Sequence, residues 1–163
     1  MNLSIKPINN HYTDQVIDLI LTIQQKEFNV PITLNDQPDL LKIEEFYFKD
    51  GGHFWGALIN EELVGTIALI KFDEKAGAIR KMFVKKEYRG KELKIAQNLV
   101  DELISFCRKN GIDVLYLGTV NILKAAIRFY ERNEFIEIKK ESLPSQFPVM
   151  DADNIFYTLN LNK

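Results

Sequence analysis

The chain has 163 residues, of which 46% are hydrophobic and 27% charged, a balance typical of a globular protein. Its 21 basic and 23 acidic side chains give a net charge of −2, which excludes a global attraction to nucleic acid or to an anionic membrane surface. A single cysteine, Cys107, excludes an internal disulfide and a multi-cysteine metal site. With no membrane-length apolar run and no signal-peptide pattern, we expect one cytoplasmic domain, residues 1–163, without a metal.

The first half of the chain is predicted to contain one strand, two helices and three further strands. Alternation over 3–8 predicts an edge strand, and apolar residues at helical spacing predict a helix from Thr13 to about Phe28, with Thr13 as its N-cap. A second helix follows a proline-containing loop and ends at Gly51-Gly52. Short turns then join three strands into an antiparallel meander, at 53–60, 63–72 and 78–84.

The second half is predicted to contain two helices and three strands. A helix after Arg89 ends at Asn110-Gly111, and its predicted buried face comprises Leu93, Ala96, Val100, Leu103 and Cys107. The almost fully apolar segment 114–120 predicts a central strand buried on both faces. A third long helix follows at 121–133, with Asn121 as N-cap and Ile122, Ala126, Phe129 and Tyr130 pointing inward. Two closing strands are predicted at 135–140 and 154–162.

A basic turn links the third strand of the meander to the helix after it. From Lys85 to Lys94 there are five basic and two acidic residues, which is +3 in an acidic chain. A helix N-terminus with its unpaired amide groups suits a phosphate, and Gly90 would allow close approach of the backbone. The alternative is a solvated lysine-rich turn. Neither the Rossmann nor the P-loop glycine pattern is present.

Two segments resemble the signatures of the GNAT N-acyltransferase superfamily. The strand-to-helix motif V-x-P-x-x-R-G-x-G-x-G/A is matched at Val84, Tyr88, Arg89 and Gly90, and A-x-x-F-Y-x-x-x-G-F is matched at Ala126, Phe129, Tyr130 and Phe135. The order of predicted elements is also similar to that of the superfamily. The chain departs from these motifs where a glycine or proline is expected, at Lys86, Glu92, Lys94 and Glu134.

The resemblance implies a mixed α/β fold, with a twisted central sheet of about seven strands flanked by about four helices. It also implies acetyl-CoA as the acyl-donor cosubstrate, with the pantetheine arm lying like an extra strand where the two central strands diverge. The implied cofactor-binding residues are Met82, Phe83, Val84, Arg89, Gly90, Lys91, Glu92, Leu93, Lys94, Ala126 and Phe129.

By the same resemblance, Tyr130 is the group that protonates the leaving thiolate; the alternative is a core aromatic residue. The general base is less defined, because the strand before the motif lacks the glutamate that the superfamily often has there. Glu27 is the first candidate, and Glu45, His53 or a water relay are the others.

An acceptor slot is implied at Phe28, Trp55 and Phe147, although Trp55 also suits the core. The apolar, proline-containing loop 141–153 would either roof that slot or cover a sheet edge or dimer contact.

The implied function is direct transfer of an acetyl group to a primary amine of a small molecule, amino acid or peptide. The alternative is a catalytically degenerate CoA-binding sensor or interaction module, because Glu92 and Lys94 replace motif glycines. Nucleic-acid binding is not expected, since the turn has no extended basic face around it. An exposed strand near the C-terminus would support a homodimer.

Overall fold

Seven strands form one mixed sheet in the order β1-β2-β3-β4-β5-β7-β6, in a computed structural model that describes residues 2–90 and 92–162. The strands are β1 (Leu3–Pro7), β2 (His53–Ile59), β3 (Glu62–Asp73), β4 (Ala76–Val84), β5 (Val114–Thr119), β6 (Ile136–Ile138) and β7 (Ile155–Asn160). The α-helices are α1 (Thr13–Leu21), α2 (Ile95–Lys109) and α3 (Lys124–Arg132). The predicted mixed α/β sheet of seven strands is confirmed.

The first predicted helix is present but is not one uniform α-helix. α1 ends at Leu21 and continues as a π-helix over Thr22–Glu27. Tyr12 occupies the N-cap position, and the Thr13 hydroxyl donates to the carbonyl of Asn10, so the prediction of Thr13 as N-cap is wrong. Thr13 is already within the first turn because the chain enters α1 through a short 3-10 turn.

The second predicted helix is two short helical segments. A 3-10 turn covers Pro38–Leu41, and a π-helix covers Glu44–Phe48. Only part of the predicted apolar face reaches the core: three side chains, Leu40, Ile43 and Tyr47, are buried, whereas Leu41 and Phe46 are exposed.

The chain folds into two compact units, Met1–Ile70 with Arg80–Ser105, and Lys71–Ile79 with Phe106–Lys163. In the first unit, α1 and the segments after it cover the sheet with a continuous apolar core, formed by Ile8, Val16, Leu19, Ile20, Ile23, Leu40, Ile43, Tyr47, Phe54, Leu58, Leu63 and Ala68. The expectation of one domain over residues 1–163 stays a prediction.

In the second unit, β5 pairs with a neighbouring strand on each side. It pairs in parallel with β4 at three positions, from Ala76↔Val114 to Ala78↔Tyr116, and antiparallel with β7 along its whole length. Its side chains alternate between buried and half-buried, so the predicted burial on both faces is wrong. The alternation arises because successive side chains point to opposite faces of the sheet.

α2 and α3 both begin later than the sequence pattern indicates. The buried residues of α2 are Ile95, Leu99, Val100, Leu103 and Cys107; Leu93 and Ala96 are only half-buried. Gly111 ends α2 with a φ of +74°, as predicted for its C-cap.

The start of α3 differs from the prediction in the same way. Leu123 holds its N-cap position, while the Asn121 amide donates to the side chain of Asn154. Ile122 lies before the helix and is exposed, so its predicted inward position is wrong. Within the described ranges, no helix combines the length and apolar character that a membrane span requires.

Candidate active site

The turn between β4 and α2 contains two residues with positive φ values, a backbone conformation that glycine adopts most easily. Gly90 has a φ of +137°, a value that side-chain-bearing residues rarely adopt. Lys94 has a φ of +50°, so a lysine holds the left-handed conformation at a position where the motif has a glycine or alanine. α2 begins at the next residue, Ile95. Glu92 and Lys94 are both exposed. Lys91 lies outside the described residues.

Arg89 is held on two sides by groups of the first unit. Its Nε donates to the carbonyl oxygen of Val84 at 2.8 Å, and one terminal nitrogen donates to Oε1 of Glu27 at 2.8 Å. The other terminal nitrogen binds Oε2 of Glu27. The guanidinium carbon lies 5.9 Å from the centre of the Phe28 ring. Two sequence-predicted residues of the acceptor side, Glu27 and Phe28, are therefore brought together with Arg89.

Two of the basic residues in the turn are paired with acids from other segments, which lowers the net charge of this region. The Nζ of Lys85 lies 2.8 Å from Oε2 of Glu62, and Arg89 is paired with Glu27. These two acids from outside the segment reduce its formal excess from +3 to +1. Attraction for an anion therefore depends mainly on the main-chain amides of the turn and on the N-terminus of α2.

β4 carries a second non-glycine residue in the left-handed region, within the strand itself. Lys81 has a φ of +54°, a conformation typical of a β-bulge. The next three residues are predicted cofactor ligands: Met82 and Phe83 are half-buried and Val84 is buried. One lone pair of the Val84 carbonyl already accepts from Arg89, so less of that group remains for an extended ligand.

The side chain of Lys81 joins a buried polar group that the sequence analysis missed. This Lys81 cluster comprises Gln24, Gln37, Asp39, Tyr47 and Lys81. Nζ of Lys81 donates to Oε1 of Gln37 at 2.5 Å and lies 3.5 Å from Oδ2 of Asp39. The Tyr47 hydroxyl donates to the same Oδ2 at 2.5 Å, and Gln37 donates to Gln24 at 2.8 Å.

Burial dominates the electrostatics of the Lys81 cluster. It lowers the pKa of Lys81, a shift that the Asp39 carboxylate partly opposes. Burial also raises the pKa of Tyr47 well above its ordinary value, and Asp39 adds to that rise. The cluster ties the helical region after α1 to β4 at its left-handed residue, Lys81. No local sequence pattern indicates it, because the partners are up to 44 positions apart.

Tyr130, the predicted proton donor, lies in the second unit on α3. Tyr130 is 7% exposed. The centre of its ring lies 5.7 Å from the centre of the Phe135 ring and 6.1 Å from that of Tyr157. Burial raises the pKa of Tyr130, and the charge of Asp153 raises it further. The phenol therefore stays protonated throughout the neutral range. Ala126 and Phe129, on the same helix, are half-buried.

The three predicted acceptor-slot residues differ in accessibility. Phe28 is 36% exposed, whereas Trp55 is 3% and Phe147 is 5% exposed. Trp55 stacks on His53 with ring centres 4.3 Å apart, and burial lowers the pKa of His53. Phe147 packs among aromatic rings of its own unit, including Phe72 at 5.7 Å. Of the three, Phe28 offers the most surface to a substrate.

Comparison with known proteins identifies the family. The model of the "Acetyltransferase (GNAT) family" matches residues 17–135. The chain is similar to an acetyltransferase of the GNAT family from Staphylococcus aureus Mu50, with 46% identity, a TM-score of 0.94, and coverage of 98% of this chain and 99% of that one. It shares the fold of the PaiA N-acetyltransferase from Thermoplasma acidophilum, solved in complex with coenzyme A, at 16% identity, a TM-score of 0.75 and coverage of 98% and 99%.

A curated relative is longer than this chain. The probable N-acetyltransferase camello of Xenopus tropicalis is 33% identical over 110 residues, which are 66% of this chain and 49% of that protein. The chain thus spans about half the length of this curated relative. The family match covers most of the chain, including both predicted signatures, and the Staphylococcus likeness extends over its full described fold. The predicted resemblance is confirmed: the chain belongs to the GNAT family of acetyltransferases.

Proposed function

We propose that the protein transfers an acetyl group from acetyl-CoA directly to a primary amine of a small molecule, an amino acid or a peptide. The observation that carries this proposal is the backbone of the turn before α2. Gly90 and Lys94 both keep left-handed φ values although most of the motif glycines are absent. Family membership and the coenzyme A bound by the related Thermoplasma protein support the same donor.

The turn would hold the diphosphate of the donor through main-chain amides rather than through the Arg89 side chain. The Arg89 guanidinium is occupied by Glu27 and Val84, so its role is to fix the turn. Glu92 is exposed, which lets its charge remain solvated beside a bound anion, and Lys94 adds a positive charge at the start of α2. Met82, Phe83 and Val84 are the proposed main-chain partners of the pantetheine arm.

Three groups are needed for the acyl transfer itself. The amine must lose a proton, the tetrahedral oxyanion needs a donor, and the leaving thiolate must be protonated or stabilised. We assign the last role to Tyr130, whose phenol is protonated and buried. The sequence predicts Glu27 as the base. Each Glu27 oxygen already accepts from a nitrogen of Arg89, so a proton would have to bind at a second lone pair of one oxygen.

Calorimetry with acetyl-CoA, followed by thiol release with a panel of primary amines, tests the proposal. We expect saturable binding and turnover of at least one amine. Absence of acetyl-CoA binding would overturn the enzyme proposal. Binding without turnover across the panel would favour the CoA sensor, which the substitutions at Glu92 and Lys94 also motivate.

Tyr130→Phe tests the assigned proton donor. We expect a maximal rate lowered about 100-fold, the order typical of losing a general acid, with unchanged binding of acetyl-CoA. Tyr157→Phe, the same change on a ring whose centre lies 6.1 Å away, is the control. An unchanged rate at saturating acetyl-CoA, in a variant that melts like the wild type, would remove the assignment.

A further inference from the structure

In the second unit, the carboxylate of Asp153 lies next to the backbone of β5 at Gly118. A β-carbon placed on Gly118 would lie 2.5 Å from Oδ2 and 2.9 Å from Cγ of Asp153, and 2.9 Å from a ring carbon of Phe156, closer than side-chain atoms approach one another. The glycine at 118 therefore makes room for this acid and for the neighbouring ring. Asp153 itself is half-buried, so its carboxylate is neither fully solvated nor sealed in the core.

The backbone around Asp153 is fixed by hydrogen bonds to two neighbouring elements. The Asn154 amide donates to the carbonyl of Thr119, at the end of β5, at 2.9 Å. The side-chain oxygen of Asn154 accepts from the amide of Asn121, just before α3, at 2.8 Å. The Asp153 amide donates to the carbonyl of Met150 at 3.1 Å. A carboxylate placed on so constrained a backbone has a defined position, as a catalytic group requires.

The same carboxylate acts electrostatically on Tyr130. Its charge is the second cause, after burial, of the raised pKa of that phenol. A carboxylate can accept a proton from one reactant, and a phenol that interacts with it can donate a proton to another reactant.

We propose that the Asp153 carboxylate binds the ammonium group of the acceptor and removes one of its protons. This inference rests on the proposed acetyl transfer. One N–H bond of the ammonium group breaks and an O–H bond forms on Asp153. The freed nitrogen lone pair attacks the thioester carbon, and a C–N bond forms.

In the remaining steps, Tyr130 donates a proton to the sulfur, and every proton is accounted for. As the C–S bond breaks, the sulfur takes the hydroxyl proton of Tyr130. A second proton leaves the nitrogen and restores the phenol, while the third stays on the product amide. Asp153 then releases its proton to solvent.

The first proton transfer also prepares the second. While Asp153 is charged, it opposes formation of a phenolate at Tyr130. Once Asp153 has accepted the proton, it is neutral and that opposition ends. Tyr130 therefore becomes a stronger acid at the stage at which the thiolate is expelled. The order of events follows from the charge on one carboxylate.

Two nucleophiles of different charge test the proposal. An alkylamine from the panel is an ammonium ion at pH 7, whereas hydroxylamine is neutral and needs no deprotonation before attack. For Asp153→Asn, we expect kcat/KM for the alkylamine to fall about 100-fold. We expect the hydroxylamine rate and the KM for acetyl-CoA to change less than about threefold. The alkylamine rate of the variant should also recover as the pH approaches the pKa of the amine.

Two further variants serve as control and as independent probe. Asp151→Asn removes an exposed charge two positions away and should leave both rates unchanged. Gly118→Ala should also show the selective loss with alkylamine, because its β-carbon displaces the carboxylate as well as the ring of Phe156. Thermal melts establish that each variant is folded, and Gly118→Ala serves if Asp153→Asn does not fold.

Three results would count against the proposal. A wild-type alkylamine rate in Asp153→Asn overturns it, and so does an equal loss with both nucleophiles, which indicates a structural role. Failure of the wild type to acetylate any amine of the panel or hydroxylamine overturns the proposed function itself, and this inference with it. Loss with alkylamine alone supports it.

Discussion

The carboxylate of Glu27 binds both terminal nitrogens of Arg89, which lies 62 positions later in the chain. The pair joins the end of the helical region after α1 to the turn before α2. Nε of Arg89 closes the same turn through the carbonyl of Val84. The shape of the proposed diphosphate turn is therefore linked to a residue that was predicted for the acceptor side.

Glu27→Gln separates a positioning role of this residue from a role as base. It keeps the shape but removes the charge that holds Arg89. If Glu27 positions the turn, we expect the KM for acetyl-CoA to rise about fivefold with little change in kcat, as loss of about 1 kcal/mol from a partly exposed ion pair implies. A base would instead lose kcat. Steady-state kinetics with both substrates distinguishes the two.

Arg89→Lys is the matched partner variant for that experiment. A lysine keeps the charge but cannot make the bidentate contact, so we expect a similar rise in the KM for acetyl-CoA. Combined with Glu27→Gln, the effects should be less than additive, because both variants break one contact. Fully additive effects would show that the two side chains act independently.

Gly90→Ala tests whether backbone conformation, rather than space, demands glycine in the turn. Among the described residues, no atom beyond the glycine and its chain neighbours lies within 4 Å of the added β-carbon, yet the φ of +137° is unfavourable for alanine. We expect a loss of about 1–3 kcal/mol in unfolding free energy, measured with urea, and weaker acetyl-CoA binding. Gly111→Ala, which also has open space and a positive φ of +74°, should lose stability without affecting acetyl-CoA binding.

The Lys81 cluster makes a prediction about stability. Asp39→Asn removes the charge partner of a buried lysine and should cost about 3 kcal/mol, since the remaining charge is left uncompensated. Lys81→Met should cost a similar amount. The double variant should lose less than the two single losses combined, by denaturant unfolding. Strict additivity would contradict an energetic link between the two side chains.

Cys107 predicts how stability changes at alkaline pH. Burial raises the pKa of its thiol to about 12, from the value of 9.0 expected in the unfolded chain. The unfolded state therefore loses this proton first, and stability falls as the pH rises from about 9 toward 12, by up to about 1.4 kcal/mol per pH unit.

Urea unfolding between pH 8 and 10 measures that slope, and comparison with a variant that lacks the thiol separates it from the loss due to the raised pKa values of Tyr47, Tyr130 and Tyr157. Cys107→Ala should show a flatter pH dependence than the wild type, although its stability at pH 8 will be lower because of the cavity. Parallel curves for the two proteins would show that the thiol is not responsible.

Strands and turns were predicted well because their patterns are local. The alternation of β1 and the short connection between β2 and β3 are visible within a few residues; in that connection Asn60 and Glu61 both have positive φ values. Helix starts were predicted less well, since Asn121 and Thr13 are good capping residues that bond elsewhere. Tertiary contacts decided those positions.

At the candidate site too, the local features were predicted from the sequence and the long-range contacts were not. The two signatures locate the turn and Tyr130, but the sequence overestimates the charge of the turn, because Glu27 and Glu62 arrive from distant segments. Nothing near Lys81 indicates that its ammonium group is buried with Asp39. Asp153 also escapes notice in sequence, since its contact with Gly118 and its partial burial, which distinguish it from Asp151 in the same loop, arise only in the fold.

The absence of a side chain at position 118 links two sites that are 35 residues apart in the chain. Any larger residue there would displace the acid at 153 and the ring of Phe156, so a change at 118 alters the position of the acid as well. Across relatives, this pair is then a marker of chemical preference. Chains that keep the glycine and the aspartate should prefer charged amines, and chains that have lost both should favour nucleophiles that are neutral in the cell.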